Sequence, residues 1–147
     1  MTQVSSHNVK VKSTTIDARG PRFAALITTL VLVIAIATHS VWVIALQLIV
    51  FAIGAFRGPQ FTPYSVIFRK FVRPRLKGVA PTEDIRPPQF AQTVGLVFAL
   101  VATAGLLVHV SILFTLAAGA ALAAAFLNAA FNYCLGCEMY LLLLRLR

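Results

Sequence analysis

The sequence predicts an all-α membrane protein in which four transmembrane helices form two tandem hairpins, with a short amphipathic helix at the membrane surface. Three observations predict this class. The 147 residues are 59% hydrophobic and only 12% charged, whereas about a quarter of the residues in soluble domains are charged. Residues 23–56 and 87–137 contain no Asp, Glu, Lys or Arg, and uncharged apolar runs longer than about 18 residues are typical of membrane spans. The basic residues flank these two blocks.

The distribution of the basic residues predicts the orientation of the chain in the membrane. The formal net charge is +9, but the basic residues do not form one soluble basic face, which argues against a nucleic-acid partner. If each apolar block crosses twice, all 13 lie on one side. The positive-inside rule then places both termini and the central loop in the cytoplasm, at the inner (plasma) membrane and its anionic lipid headgroups. The basic residues are Lys10, Lys12, Arg19, Arg22, Arg57, Arg69, Lys70, Arg73, Arg75, Lys77, Arg86, Arg145 and Arg147.

The chain divides into a flexible cytoplasmic tail over residues 1–15 and a single transmembrane domain over residues 16–147. The tail is polar and has no apolar period, which is typical of disorder. The first hairpin covers residues 22–57 and turns at His39 and Ser40. The apolar arms on either side of this turn, residues 23–38 and 41–56, are then each about 24 Å long at ~1.5 Å per residue. Because the hydrocarbon core is ~30 Å thick, a re-entrant hairpin is the alternative to two full spans.

The cytoplasmic loop over residues 58–86 contains a predicted surface helix. Thr62 followed by Pro63 is typical of a helix start, and Pro74 predicts the end of the helix. One side of this helix is apolar and the other is basic, which predicts an anchor in the anionic headgroup layer; a partner-binding helix is the alternative. The apolar residues are Tyr64, Ile67, Phe68, Phe71 and Val72, and the basic ones are Arg69, Lys70 and Arg73.

An internal repeat relates the two hairpins. The segment that begins at Asp17, DARGPRFA, matches the segment that begins at Asp84, DIRPPQFA, at five positions. His39 and His109 correspond in the middles of the blocks, and FAIGAF matches FLNAAF at their ends. The repeat predicts two hairpins of the same orientation, related by an axis along the membrane normal.

The second hairpin covers residues 87–137, and its last helix carries many small residues and two asparagines. Helices rich in Ala and Gly pack closely in membranes, so this helix is expected at the centre of the bundle or against a second copy in a homo-oligomer. Asn128 and Asn132 are four residues apart. Because a buried membrane asparagine is usually an interhelical contact, we predict that both support the helix that carries the cysteines.

Cys134 and Cys137 form a C-x-x-C pair, and with the adjacent Glu138 they make up the candidate site. A continuous last helix would place these three side chains within one arc, with Asn128 and Asn132 pointing roughly the other way. The thiols would then lie at the cytoplasmic, C-terminal end of that helix. The negative pole of the helix dipole at this end disfavours a thiolate.

Three chemistries suit two thiols at this spacing. They are dithiol–disulfide exchange, zinc binding completed by Glu138 or a second chain, and transfer of sulfane sulfur as a persulfide. Simple packing of two small side chains in a reducing compartment is the alternative. Zinc is the one cofactor considered, and a site without a cofactor is the stronger expectation. His39 and His109 are better explained as turn residues than as metal ligands or a proton relay.

Taken together, these motifs resemble an uncharacterised, mainly actinobacterial family of small four-helix membrane proteins labelled as a domain of unknown function. The resemblance covers residues 16–144. It depends on the segments that begin at Asp17 and Asp84, the Arg57-Gly-Pro and Arg73-Pro-Arg motifs, and the stretch from Asn128 to the CLGC motif. Members of that family tend to be encoded beside thioredoxin-like or sulfurtransferase proteins. The resemblance therefore implies thiol or sulfur chemistry with such a partner, but carries over no catalytic residues.

The function expected from the sequence is thiol redox or sulfur transfer at the cytoplasmic face. Cys134 would be the attacking or accepting thiol and Cys137 the resolving one. The alternatives are a non-enzymatic subunit of a membrane complex with structural or zinc-binding cysteines, and a permease for a small solute.

Overall fold

The structure is a computed structural model that describes residues 15–76 and 82–146. The predicted tail up to residue 14, residues 77–81 of the central loop and residue 147 lie outside this part of the chain. In chain order the elements are strand β1 (Thr15–Asp17), helices α1 (Arg19–Thr38) and α2 (Val41–Phe56), a 3₁₀ turn (Pro59–Phe61), helix α3 (Pro63–Ile67) continuing as a π-turn (Phe68–Val72) and a 3₁₀ turn (Arg73–Arg75), strand β2 (Thr82–Asp84), and helices α4 (Arg86–Leu107), α5 (Ser111–Phe131) and α6 (Leu135–Leu146).

The long helices are apolar on their outer faces, as in a membrane protein. Helices α1, α4 and α5 are long and apolar enough to cross a membrane, whereas α2 is shorter at 16 residues. Large apolar side chains point away from the bundle, among them Leu30, Leu100 and Leu116 at 52–65% exposure. A soluble monomer does not expose apolar patches of this extent. The predicted helical architecture with helices long and apolar enough to cross a membrane is confirmed at this level.

Both predicted hairpin turns lie where the sequence placed them. His39 and His109 have φ values of 50° and 62°, in the left-handed region that commonly ends helices. Ser40 begins α2, and its side-chain oxygen accepts a hydrogen bond from the Val43 N–H at 3.4 Å. A residue of this type at the N-cap satisfies one of the free N–H groups of the first turn.

Helix α5 packs against both α1 and α4, while α2 packs mainly against α4. The core near the hairpin turns includes Leu32, Ile44 and Phe114, all of which are completely buried. Gly105 allows the close approach of α4 to α5, since a Cβ there would lie 2.8 Å from the backbone nitrogen of Phe114. Ala117, Ala118 and Ala121 of α5 are buried in the bundle, as predicted for a central helix, whereas Ala120 and Ala123 are exposed.

The predicted surface helix begins as expected but is anchored more deeply than its amphipathic pattern indicated. Thr62 caps α3 by accepting a hydrogen bond from the Ser65 N–H at 3.3 Å. Tyr64 is buried between the long helices, and its hydroxyl donates to Oε1 of the fully buried Gln47 at 2.8 Å. Burial raises the pKa of Tyr64 to about 12, so the phenol remains a hydrogen-bond donor at neutral pH.

The predicted apolar stripe of this segment divides into an inner and an outer half. Phe68 lies inside, with its ring centre 5.7 Å from that of Phe23. Ile67 and Phe71 are exposed at 41% and 62%. These outer side chains stand where lipid contact is expected, beside the basic residues of the loop.

Two short strands were not predicted. Strands β1 and β2 pair antiparallel, with Ile16 opposite Glu83 at the centre of the register. Three residues are too few to show the alternation by which a strand is recognised in a sequence. The pairing fixes the start of α1 beside the start of α4, so the two aspartates that open the predicted repeat lie at the same end of the bundle.

Asp17 connects the start of α1 to the surface segment. Its Oδ1 accepts a hydrogen bond from the Arg19 N–H at 2.9 Å, and its Oδ2 lies 3.1 Å from the Arg19 guanidinium and 3.5 Å from that of Arg73. Asp84 makes the equivalent bond to the Arg86 N–H at 2.9 Å, but its side chain is 37% exposed against 8% for Asp17. Burial acts to raise the pKa of Asp17, and the hydrogen bonds from Arg19 outweigh it and leave this pKa lowered.

We predict that Asp17→Asn destabilises the protein by about 1 kcal/mol at neutral pH, because the amide keeps the backbone hydrogen bond but loses the charge that pairs with two arginines. The matched change Asp84→Asn, at an exposed pair, should cost less than about 0.5 kcal/mol. Unfolding of purified protein in detergent measures both values.

The lowered pKa of Asp17 also fixes the pH dependence of this difference. A carboxylate with a lowered folded-state pKa stabilises the protein above its unfolded pKa of about 3.9, and this contribution is lost as the pH falls through the folded value. The difference in free energy of unfolding between wild type and Asp17→Asn should therefore be constant from about pH 5 to 8 and disappear below about pH 4. A difference in free energy of unfolding that persists in acid would contradict the lowered pKa of Asp17.

Candidate functional site

The two cysteines lie at the start of a helix and not at the end of one. Helix α5 ends at Phe131, and Asn132 adopts a left-handed conformation with φ of 56°. The N–H of Asn132 donates to the Asn128 carbonyl at 3.0 Å, and the N–H of Tyr133 donates to the Leu127 carbonyl at 3.2 Å. The first of these bonds closes the end of α5 with a left-handed C-cap motif, in which the residue after the helix donates to the carbonyl four residues earlier. The prediction of one continuous helix through the cysteines is therefore wrong.

Cys134 occupies the cap position of α6. Its carbonyl accepts the first helical hydrogen bond from the Glu138 N–H at 3.0 Å, and its Sγ accepts one from the Cys137 N–H at 3.1 Å. The two sulfurs are bonded to each other, with the Cα atoms 5.2 Å apart, which lies within the usual range for a disulfide. The pair therefore closes the first turn of α6, at the positive pole of its dipole.

Contacts with α4 hold the disulfide in place. Gly136 is buried against Ala91, and a Cβ on Gly136 would lie 2.6 Å from the Ala91 Cα. One turn further along, the rings of Tyr140 and Phe90 have centres 5.6 Å apart. Because these residues follow the cysteines directly, the position of the disulfide depends on the packing of α6 against the base of α4.

A cavity of about 570 Å³ lies beside the disulfide and brings together helices α1, α2, α4, α5 and α6. Both cysteines line it, and so do Asn128, Asn132 and Glu138. The expectation that the asparagines point away from the thiols is thus wrong, because the turn at Asn132 reverses the chain and folds α6 back. Small side chains form much of the remaining wall: Ala25, Ala91, Gly95, Ala120, Ala121, Ala124 and Ala125.

The polar groups of the cavity are amides and carboxylates. Gln92 of α4 lines the wall, and within residues 15–76 and 82–146 its buried Oε1 has no hydrogen-bond partner. Asp84 and Glu138 lie where the cavity meets the base of the bundle. Glu138 is exposed in the first turn of α6, where a negative charge complements the helix dipole. Sequence reasoning did not identify Gln92, because a single glutamine in an apolar helix carries no motif.

The described part of the chain offers no metal site. Across residues 15–76 and 82–146, no group of three or more His, Cys, Asp and Glu side chains is placed to hold an ion. The zinc arrangement considered from the sequence would first require reduction of the Cys134–Cys137 bond, because metal binding uses thiolates. His39 and His109 lie at the hairpin turns and are not among the residues that line the cavity.

The predicted repeat contains the signal that could have located the helix break. It aligns Asn132 with Arg57, directly before Gly58 and Pro59. In the first half α2 ends at Phe56, and Gly58 has φ of 122°. Because Asn132 aligns with Arg57, a helix end at the same place in the second half would end α5 before the cysteines.

The fold and the site define an all-helical protein with helices long enough to cross a membrane and a cysteine pair at one end of the bundle. The chain belongs to the family described as a domain of unknown function (DUF4395), whose match covers residues 16–145. The expected relation to an uncharacterised family is thereby confirmed, while its actinobacterial distribution and the CLGC motif stay predictions. No curated protein and no solved structure matches the chain.

We predict that Gly136→Ala destabilises the protein by about 1–3 kcal/mol, because the new methyl group must push α6 away from the backbone of α4. The displaced disulfide should also be reduced faster by dithiothreitol. Thermal unfolding and timed thiol alkylation in detergent measure the two effects.

The matched control for this change is Gly119→Ala on α5, where a Cβ would meet no atom within 4 Å. This variant should be neutral or slightly stabilising, since alanine is the better helix former. If both variants unfold and react alike, the disulfide is not positioned by the Gly136 contact.

Proposed function

We propose that this protein is an inner-membrane thiol–disulfide exchange protein that works through Cys134 and Cys137 on its cytoplasmic face. The observation that carries the proposal is the bonded pair across the first turn of α6. Redox-active C-x-x-C pairs use this position because the positive end of the dipole and the free N–H groups favour a thiolate. The physical objection raised by the predicted C-terminal position no longer applies.

The hydrogen bond inside the pair favours Cys134 as the sulfur that exchanges with a partner. After reduction, a thiolate at Cys134 keeps the Cys137 N–H as a donor at its Sγ. Cys137 then acts as the resolving residue. This assignment agrees with the order expected from the sequence.

The exchange partner would be a protein with two thiols, of the thioredoxin-like or the sulfurtransferase type. A partner thiolate attacks Sγ of Cys134, the Cys134–Cys137 bond breaks, and Cys137 leaves as a thiolate and takes a proton. The second partner thiolate then attacks the partner sulfur of the mixed disulfide, and Cys134 leaves. The partner is oxidised to a disulfide, and the cysteine pair is reduced to a dithiol.

Two equivalent hydrogen bonds support the proposed parallel repeat of two hairpins. Arg22 of α1 donates to the Ala129 carbonyl of α5 at 3.0 Å, and Gln89 of α4 donates to the Ala55 carbonyl of α2 at 3.0 Å. Arg22 and Gln89 occupy matched positions in the two halves. Each ties the first helix of one half to the end of the second helix of the other, as an approximate two-fold axis requires.

The same arrangement supports four crossings with the termini and the loop in the cytoplasm. Helix α2 would cross as a short span of about 24 Å, with local bilayer thinning. The loop would lie at the cytoplasmic surface, with Ile67 and Phe71 in the acyl boundary. Arg69 and Lys70 would then contact anionic headgroups.

The proposal predicts different behaviour for the two single-cysteine variants. In purified protein exposed to oxidised glutathione, Cys137→Ser should form a mixed disulfide through Cys134 about tenfold faster than Cys134→Ser forms one through Cys137. Intact-mass measurement gives both rates. In membranes, an impermeant maleimide should label Cys134 of the Cys137→Ser variant in inverted vesicles and not in right-side-out vesicles.

Each outcome bears on one part of the proposal. Equal and slow rates for the two variants would show that the helix terminus does not activate Cys134 and would remove the exchange function. Labelling from the outer side would overturn the proposed orientation but leave the chemistry intact. Serine keeps the backbone N–H at position 137, so the cap geometry is preserved in the faster variant.

A further inference from the structure

We infer that the cavity beside the disulfide binds a membrane-soluble quinone, which reoxidises the Cys134–Cys137 dithiol. This inference depends on the proposed thiol exchange, because it names the electron acceptor for the pair.

In the first half of the repeat, an aromatic ring occupies the equivalent place. Tyr64 packs in a small core, and its hydroxyl is hydrogen-bonded to the side-chain amide of Gln47. The other members of that core are Ala24, Val50, Ile27 and Val31. Two alignments relate the halves: Asp17 with Asp84, and FAIGAF with FLNAAF. Together they assign a counterpart in the second half to Tyr64 and to the four other members of this core.

All of these counterparts line the cavity. They are Ala91, Ala125, Val94, Phe98 and, in the place of Tyr64, Met139. Met139 is 46% exposed and leaves the space open, whereas Tyr64 fills its own site at 8% exposure. The second half therefore has an open version of the apolar site that the Tyr64 ring fills in the first half, with Leu122 in the place of Gln47.

The cavity wall suits a ligand of this kind. A volume of about 570 Å³ falls in the range of small-molecule sites of roughly 300–1,000 Å³, which is enough for a quinone ring and the start of an isoprenoid chain. Gln92 and Asn128 supply amide groups that can donate to its carbonyl oxygens. The alanine and glycine walls leave a gap between the helices into which a flat ring can slide.

The charges at the base of the cavity argue against an anionic solute. Asp84 and Glu138 both line this region, and hydrogen bonding by Arg86 keeps the pKa of Asp84 below its usual value. Within residues 15–76 and 82–146, no arginine or lysine lines the cavity to offset the repulsion between these carboxylates and a sulfur oxyanion. A neutral quinone carries no such penalty.

The reaction balances as a two-electron transfer. In the reduced protein, the S–H bonds of Cys134 and Cys137 break and the S–S bond forms, which releases two electrons and two protons. The quinone takes both electrons, and each carbonyl oxygen takes one proton to give a hydroquinone. The dithiol is oxidised and the quinone is reduced, with no further co-reactant.

The test uses full-length protein in detergent, reduced with dithiothreitol, freed of reductant and kept without oxygen. A decyl-substituted benzoquinone is added, and its reduction is followed by absorbance. The free thiols are then alkylated, and the mass of the intact protein gives the fraction of disulfide. Wild type should reduce one quinone for each disulfide formed. Ala125→Leu, which fills the cavity, should react about tenfold more slowly or worse, while Ala123→Leu on the exposed face of the same helix should match wild type.

A second readout separates this inference from the proposed function. Ala123→Leu should exchange with oxidised glutathione at the wild-type rate, and the circular dichroism of both alanine variants should match that of the wild type, which shows that they are folded. Normal exchange without oxidation by quinone, or equal quinone rates in the two variants, overturns the quinone site and leaves thiol exchange standing. Loss of glutathione exchange in the wild type itself would remove both.

Discussion

The left-handed turn at Asn132 is the constraint on which the cysteine site depends. It closes the carbonyl end of α5, reverses the chain, and makes Cys134 the cap of a new helix. Without this turn, the two sulfurs would lie at the negative pole of α5, where a thiolate is disfavoured. With it, they lie at the positive pole of α6, and Gly136 fixes that helix against Ala91 of α4.

The segments that follow the two hairpins differ in whether they fill the space beside the long helices. After α2, the chain enters α3 and inserts Tyr64 between the long helices, where Gln47 binds its hydroxyl. After α5, the corresponding segment becomes α6, whose Met139 leaves the space open. The Tyr64 ring thus fills the space beside α1 and α2, whereas the space beside α4, α5 and the disulfide stays open.

The helices and their turns could be predicted, because the length of uncharged apolar sequence and residues such as His39 and Ser40 report on them locally. The position of the cysteines at the start of a helix has no local signal, and only the alignment of Asn132 with Arg57, before Gly58 and Pro59, indicates the break. Asparagine adopts left-handed φ without the glycine or proline that usually marks a break, so Asn132 resembled one more helical residue. The burial of Tyr64 depends on Gln47, 17 residues away, and the cavity depends on five helices, so no local pattern in the sequence predicts either.

The central claim is that the start of α6 activates Cys134. The most direct measurement is the pH dependence of the rate at which iodoacetamide alkylates the Cys137→Ser variant in detergent. Activation by the helix start predicts a rate profile whose midpoint lies at least about one pH unit below ~8.5, the pKa of an unperturbed thiol. A midpoint at or above that value would contradict it, because the cap position would then give Cys134 no thiolate character.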